Sequence, residues 1–92
     1  MQRREFNQLL NDILKPHTIN DFCPNGLQVE GKNEIKTIIT GVTASQALID
    51  AAIEKNADAI LVHHGYFWKG ESQPITGMKK RRIGALLAND IN

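Results

Sequence analysis

A strand–helix–strand pattern in the middle of the sequence limits the possible folds more than any other feature. Ile35–Val42 is rich in β-branched residues and predicts a strand. Thr43–Asn56 predicts a helix, and Ala59–His63 predicts a second strand that is short and apolar enough to be buried. Two strands joined through a helix lie parallel, with a right-handed crossover. We therefore expect an α/β fold with a parallel βαβ core, the helix lying across both strands.

The ends of the central helix carry their own signals. Thr43 and Gln46 have the spacing of a capping box, which predicts Thr43 as the N-cap, and Asn56 is expected to cap the other end. Small side chains predict a helix face that lies close to the sheet, and this face comprises Ala44, Ala47, Leu48, Ala51 and Ala52. Gly41, at the end of the first strand, marks a place where another group approaches the backbone closely.

Further elements are predicted on both sides of this core. Apolar residues recur at helical spacing in an amphipathic helix from about Gln2 to Lys15, and they are Phe6, Leu9, Leu10, Ile13 and Leu14. Pro16 is expected to end that helix. Leu27–Glu30 alternates apolar and polar residues and predicts a short, half-exposed strand. A last helix is expected after Thr76, with Met78, Ile83, Leu86 and Leu87 on its apolar positions.

The second strand ends in two adjacent histidines, His63 and His64, which are followed by Gly65. Parallel sheets bind ligands at the carboxyl ends of their strands, and imidazole is the commonest protein metal ligand. Neighbouring strand residues point to opposite faces, so both rings reach one metal only if the strand ends here, as Gly65 permits. The pair predicts half of a metal site. The alternative is two ordinary strand-end histidines, hydrogen-bonded to backbone or carboxylate groups.

Composition narrows the class of protein. The chain has 92 residues, enough for one small domain, and a formal net charge of +1, which makes nucleic acid an unfavoured partner. Its apolar runs are too short to span a membrane, so no membrane partner is expected. The single cysteine, Cys23, permits no internal disulfide and indicates the cytoplasm.

Four further features each have a functional and a structural interpretation. His17 is a possible third ligand or an exposed histidine near a helix end. Cys23 is a soft ligand or a small buried hydrophobe. The basic run Lys79–Arg82 binds an anion or forms a solvated helix face. The aromatic cluster Tyr66–Trp68 stacks on a base or packs against a second domain or subunit. For each of the four features we favour the structural interpretation.

Three separated stretches carry a resemblance to a known family. They are Asn25–Gly31 (NGLQVEG), Thr40–Ser45 (TGVTAS) and Val62–Glu71 (VHHGYFWKGE). Together they resemble the amino-terminal part of the GTP cyclohydrolase 1 type 2 homologues, the NIF-three-like family, most closely its bacterial YbgI-type branch. The resemblance extends over essentially the whole chain, and its specificity lies in the order and spacing of the three motifs.

The resemblance implies a two-domain α/β subunit in a toroidal homohexamer, with a dinuclear site for two divalent metal ions in the cleft between domains. Residues 1–92 would then be the amino-terminal part of the metal-binding domain. His63 and His64 match the family's paired amino-terminal ligands. Asn25 and Gln28 match an Asn-Gly-Leu-Gln segment near the site, and are expected to contact the substrate. No catalytic residue is assigned.

The chain also departs from the family pattern. Many relatives carry an aspartate in the segment that matches Gly41-Val42-Thr43 and a proline where this chain has Gly65. The remaining ligands, including the bridging carboxylates, would follow Asn92, so we expect an incomplete first domain. The implied function is a dinuclear-metal-dependent hydrolase acting on a nucleotide-like substrate, possible only at full length. The alternative is a non-catalytic, metal-binding, ring-forming scaffold or interaction protein.

Overall fold

A two-stranded parallel sheet lies at the centre of the fold, and a helix connects its strands. The computed structural model describes residues 1–18, 25–65 and 74–92. The elements in chain order are α1 (Arg3–Leu14), a short 3-10 helix (Pro16–Thr18), β1 (Ile38–Thr43), α2 (Gln46–Glu54), β2 (Ala59–His64) and α3 (Gly77–Ala88). In the parallel register, Ile38 lies beside Ala59 and Thr43 beside His64. The predicted βαβ unit is confirmed.

The first strand begins later than the sequence predicts, at Ile38 instead of Ile35. The backbone N–H groups of Lys36 and Thr37 each donate to Oδ2 of Asp58, at 2.8 Å. A side chain thus takes the N–H donors of both residues, while the carbonyl oxygen of Thr37 accepts from the N–H of Ala59 at 3.3 Å at the start of the ladder. The β-branched composition of the segment favours strand throughout and carries no information about this carboxylate.

The start of α2 differs from the predicted capping box. Ser45 is the N-cap, and its Oγ accepts a hydrogen bond from the backbone N–H of Leu48 at 3.2 Å. Thr43 remains in β1, where its β-branched side chain is well suited. At the other end the prediction for Asn56 is confirmed: it adopts the left-handed conformation, with φ of 54°, just after the C-cap residue Lys55.

Helix α1 agrees with its prediction to within one residue at each end. Lys15 ends it in the left-handed conformation, with its N–H bonded to the carbonyl oxygen of Asn11, and Pro16 follows. None of the residues of α1 is buried. Ile13 and Leu14 are 66% and 54% exposed, so the amphipathic pattern gives a helix whose apolar face is largely uncovered by the described residues.

The predicted strand at Leu27–Glu30 is wrong, because over the described residues 25–37 the only bridge pairs Glu34 with Gln2. This segment is held instead by the start of α1. Arg3 contacts Glu30 through Nη2 at 2.8 Å, and donates from Nη1 to the carbonyl oxygen of Gly31 at 2.5 Å. Alternation in a short segment predicts a strand only if another strand lies alongside.

The hydrophobic core lies where α2, α3 and the last residues of the chain meet. Its fully enclosed members are Ile49, Leu86 and Ile91, with Val29, Ile53, Ile60 and Ala85 packed against them. The predicted alanine face of α2 is only partly correct, because Ala52 is buried but Ala47 is exposed and the largest buried side chain is Ile49. Branched Ile49 fills more volume than an alanine, so it gains more from burial.

Asp58 connects several segments at the amino end of the sheet. Besides the two backbone bonds to Oδ2, its Oδ1 lies 3.0 Å from Nζ of Lys32. The N–H donors of Thr37 and Lys36, followed by the Lys32 ammonium group, lower the pKa of this carboxyl from 3.8 to about 2. The ionised form is therefore the one that the folded chain stabilises.

Gly41 is the place of close approach that the sequence predicts. A Cβ atom added to it would lie 2.6 Å from Cδ2 and 3.1 Å from Cδ1 of Leu48 in α2. The first distance is shorter than any normal carbon–carbon contact. The missing side chain thus allows α2 to pack directly on β1.

We expect acid to destabilise the fold through Asp58. The pKa of Asp58 falls from 3.8 to about 2 on folding. The stabilisation that its ionised carboxylate gives the folded state is therefore complete above pH 3.8 and is lost as the pH drops through about 2. That contribution is about 2 kcal/mol in the free energy of unfolding. Urea denaturation between about pH 5 and about pH 2 measures it. Asp58→Asn should remove this part of the acid dependence, whereas Asp12→Asn, on an exposed part of α1, should retain it. A retained dependence in Asp58→Asn would contradict the assignment.

Gly41→Ala should destabilise the chain by about 0.5–1.5 kcal/mol, because the new methyl group pushes the end of the Leu48 side chain from its rotamer. The added substitution Leu48→Ala makes room, so the double variant should lose less than the sum of the single losses. Gly84→Ala is the matched control: no atom lies within 4 Å of its added Cβ in the middle of α3, so alanine should stabilise by about 0.5–1 kcal/mol. If the double variant lost as much stability as the two single variants together, the close approach of Gly41 and Leu48 would have no energetic consequence.

Candidate metal centre

The candidate site lies at the carboxyl end of the sheet, where β1 and β2 finish together. Thr43 is the register partner of His64, and the N–H of Ala44 donates to the carbonyl oxygen of His64 at 2.8 Å. Ser45 then starts α2. The chain leaving β1 is thus tied directly to the last residue of β2, and this bond fixes the backbone that carries the histidine pair.

The rings of His63 and His64 lie next to each other. Their centroids are 4.3 Å apart and their planes are inclined by 59°. Two rings directed to opposite faces of a regular strand would lie farther apart, so the end of β2 departs from strict alternation. The predicted strand end is confirmed, since β2 finishes at His64 and Gly65 follows. The His63 ring is exposed and that of His64 is half-buried.

This geometry suits part of a metal shell. Two adjacent imidazoles offer two nitrogen donors, whereas a zinc site uses three or four protein ligands. Among residues 1–18, 25–65 and 74–92, no group of three or more His, Cys, Asp or Glu side chains is placed to hold a metal ion. The described residues therefore supply the two predicted nitrogens and no further donor cluster. Three features with predicted roles lie outside what the structure describes: Cys23, the imidazole of His17 and the aromatic cluster Tyr66–Trp68. Their predicted roles stay predictions.

Asn25 and Gln28, predicted to contact substrate, lie in the segment before β1. Nδ2 of Asn25 donates to the carbonyl oxygen of Pro16 at 3.4 Å, and Nε2 of Gln28 donates to that of Gly26 at 3.0 Å. Gln28 also lines an open groove of about 440 Å³ against α3, with Val29, Glu30, Ile75, Lys79, Ile83 and Leu87. Neither His63 nor His64 belongs to that lining. The groove and the histidine pair are distinct features, and substrate contact by the two amides stays a prediction.

The basic run Lys79–Arg82 falls in the amino-terminal half of α3. Lys80 and Arg81 are exposed, as expected for a solvated helix face, whereas Lys79 and Arg82 are half-buried. Lys79 lines the groove described above. The solvated-face interpretation therefore holds for the two middle residues of the run.

Sequence reasoning missed Thr43 as a neighbour of the histidine pair. It assigned this residue to the cap of α2, but the structure places it opposite His64 at the end of β1. Two signals were available: β-branched Thr43 continues the IIT-G-V strand pattern, and Ser45 is an equally good N-cap two residues later.

Comparison with known proteins places this chain in a family. The family model for Duf34/NIF3 (NGG1p interacting factor 3) matches residues 1–92, the whole chain. The chain belongs to the Duf34/NIF3 family. This confirms the resemblance carried by the three sequence motifs.

Curated members of the Duf34/NIF3 family are closely similar. The chain is 68% identical to a "GTP cyclohydrolase 1 type 2 homolog" of Haemophilus influenzae, over 100% of this chain and 37% of the relative. Proteins of the same name from Vibrio cholerae and Escherichia coli are 63% and 60% identical, again over 100% of this chain and 36% and 37% of theirs. The chain thus spans little more than a third of the length of these relatives.

Solved structures confirm the NIF-three-like α/β fold. The protein ybgI, described as of unknown function, is 60% identical with a TM-score of 0.96, over 100% of this chain and 37% of the other. TTHA1606 from Thermus thermophilus is 39% identical with a TM-score of 0.93, over 100% and 38%. In the described parts of the chain, none of the helices has the length and apolar character needed to cross a membrane.

Proposed function

We propose that this chain contributes His63 and His64 to the dinuclear centre of a metal-dependent hydrolase that acts on a nucleotide-like substrate. The observation that carries the proposal is the 4.3 Å separation of the two imidazole rings at the carboxyl end of β2. Ligands bind at this end of parallel sheets. The name shared by the curated relatives, "GTP cyclohydrolase 1 type 2 homolog", supports a purine nucleotide as the substrate class.

The residues of this chain would act by holding the metal ions and by fixing the backbone that carries the two histidine rings. The bond from Ala44 to the carbonyl oxygen of His64 fixes the strand end, and with it the backbone from which the two rings project. The exposed ring of His63 leaves the site open to a ligand from solvent. Divalent metal ions bound there would supply Lewis-acid chemistry and lower the pKa of a coordinated water.

The rest of the shell would come from outside the described residues. The chain spans 37% of the Haemophilus influenzae relative, so we propose the activity for a protein in which these residues are joined to a remainder like that of the relatives. In that protein we propose two divalent ions per subunit, contact between substrate and the amides of Asn25 and Gln28, and assembly into a homohexameric ring in the cytoplasm.

A metal-binding scaffold or interaction protein is the second candidate. The family description "NGG1p interacting factor 3" favours it. Both candidates require the histidine pair to bind metal, and they differ in whether a substrate is hydrolysed.

Both imidazoles should respond to the same metal ion. On addition of Zn²⁺ to the 92-residue chain, the ring signals of His63 and His64 in NMR spectra should shift together over one concentration range. His63→Ala or His64→Ala should weaken binding by at least about tenfold, since each removes one of two donors. Asp12→Ala, which removes an exposed side chain on α1, is the control. Unchanged affinity in both strand-end variants would return these residues to a structural role.

Hydrolysis is tested on a longer protein. A chimera that carries this chain in place of the matched part of the Haemophilus influenzae relative should hydrolyse a purine nucleoside triphosphate when metal is present. Chelator should abolish the reaction, and His63→Ala should reduce it at least about a hundredfold while the protein stays folded. Metal binding without any nucleotide turnover would favour the scaffold instead.

A further inference from the structure

Asn25 and Gly26 form an Asn-Gly pair in the segment before β1. It is the single Asn-Gly pair in the sequence, and both residues are exposed. An asparagine side chain can react with the peptide nitrogen that follows it, and a glycine in the next position hinders this reaction least because it has no side chain. We propose that Asn25 is a self-modification site, at which the folded chain converts the side-chain amide to an aspartyl or isoaspartyl group.

The reaction needs water and no other reagent besides the chain. The peptide nitrogen of Gly26 attacks Cγ of Asn25, and the new N–C bond closes a succinimide ring. The bond from Cγ to Nδ2 breaks, and Nδ2 leaves as ammonia with the proton that the peptide nitrogen gives up. Water then adds to either ring carbonyl and cleaves its bond to the ring nitrogen, which takes up a proton. Cleavage at Cγ leaves aspartate, whereas cleavage at the backbone carbonyl leaves isoaspartate, in which the chain continues through the side chain.

The attacking nitrogen is accessible in the fold. Gly26 adopts φ of 97°, and no atom lies within 4 Å of the position that a Cβ atom would occupy on it. Within residues 1–18, 25–65 and 74–92 its N–H group donates no hydrogen bond, whereas its carbonyl oxygen accepts from Nε2 of Gln28 at 3.0 Å. Asn25 belongs to neither a helix nor a strand. The regular hydrogen bonds of such an element therefore do not hold the torsion ψ, which must rotate for Cγ to reach the nitrogen.

Asn56 and Asn33 are also exposed but lack this combination of features. Asn56 precedes Ala57, whose N–H donates to a carbonyl oxygen of α2 at 2.9 Å, so the nitrogen that would attack is already engaged. Asn33 precedes Glu34, which has a side chain next to the nitrogen and whose backbone forms a bridge with Gln2. The structure thus leaves the reactive pair accessible and protects other exposed asparagines.

The modification would change a group that holds this segment. Nδ2 of Asn25 donates to the carbonyl oxygen of Pro16 at 3.4 Å, and a carboxylate in its place has no proton to donate. Arg3 still anchors the segment farther along, through Glu30 and Gly31, so the change should stay local to the turn at position 26. This inference concerns the peptide chemistry of the chain, and it holds whether or not Asn25 contacts a substrate.

Incubation of the folded chain in a mildly alkaline buffer tests the site. Peptide mass spectrometry should show Asn25 converted at a rate within about tenfold of that in the urea-unfolded chain, because an exposed, irregular segment gives little protection. Conversion at Asn56 and Asn33 should be at least about tenfold slower than at Asn25. An isoaspartate-specific methyltransferase should label the incubated chain at residue 25. A native rate more than about tenfold below the unfolded rate would overturn the proposal, because the fold would then protect Asn25.

Two substitutions test which atoms react. Gly26→Ala adds a methyl group beside the attacking nitrogen and should slow the conversion of Asn25 at least about tenfold. Asn25→Gln lengthens the side chain, so that attack must close a larger and less favourable ring, and it should abolish methyltransferase labelling at this position. Gly84→Ala, within α3, is the control and should convert Asn25 at the rate of the parent chain. Equal conversion in the Gly26→Ala variant would contradict attack by that nitrogen.

Discussion

The carboxylate of Asp58 is the interaction on which the arrangement of the sheet depends. Oδ2 accepts the N–H groups of Lys36 and Thr37, and Oδ1 pairs with Lys32, so one side chain ties down the segment that leads into β1. Buried backbone donors without partners are costly, and this carboxylate supplies partners where no strand does. Because Asp58 directly precedes β2, the same contacts set the register that places Ile38 beside Ala59.

The two ends of the sheet have different roles, one in stability and the other in presenting the histidine pair. The amino end is closed by Asp58 and by Asn92, whose hydrogen bonds reach the turn at Gly31 and Lys32. The carboxyl end carries the histidine pair, and the bond from Ala44 to His64 ties its backbone to the chain that leaves β1. Stability concentrated at one end leaves the other free to present polar rings to a ligand. In open parallel sheets ligands bind outside the carboxyl ends of the strands.

The sequence predicts the βαβ unit well because β-branched runs, helix caps and apolar spacing are local signals. The sequence-based prediction fails where a group that is distant along the chain determines the local structure. Asp58 delays the start of β1, and Arg3 holds the segment around Glu30 that alternation alone assigns to a strand. For the site, adjacency of His63 and His64 is visible in the sequence, but their ring separation depends on how β2 ends. The groove beside Gln28 is formed with α3, far along the chain, and no local pattern indicates it.

The contact between Gly41 and Leu48 links two positions in evolution. A larger residue in the strand is easier to accommodate if the helix residue above it becomes smaller, because a Cβ atom at position 41 would meet the side chain of Leu48. Divergence at these positions should therefore proceed through paired changes. Since the strand that contains Gly41 also ends opposite His64, drift in packing at this point would shift the histidine pair. Selection on the site would thus act on a residue that never touches a ligand.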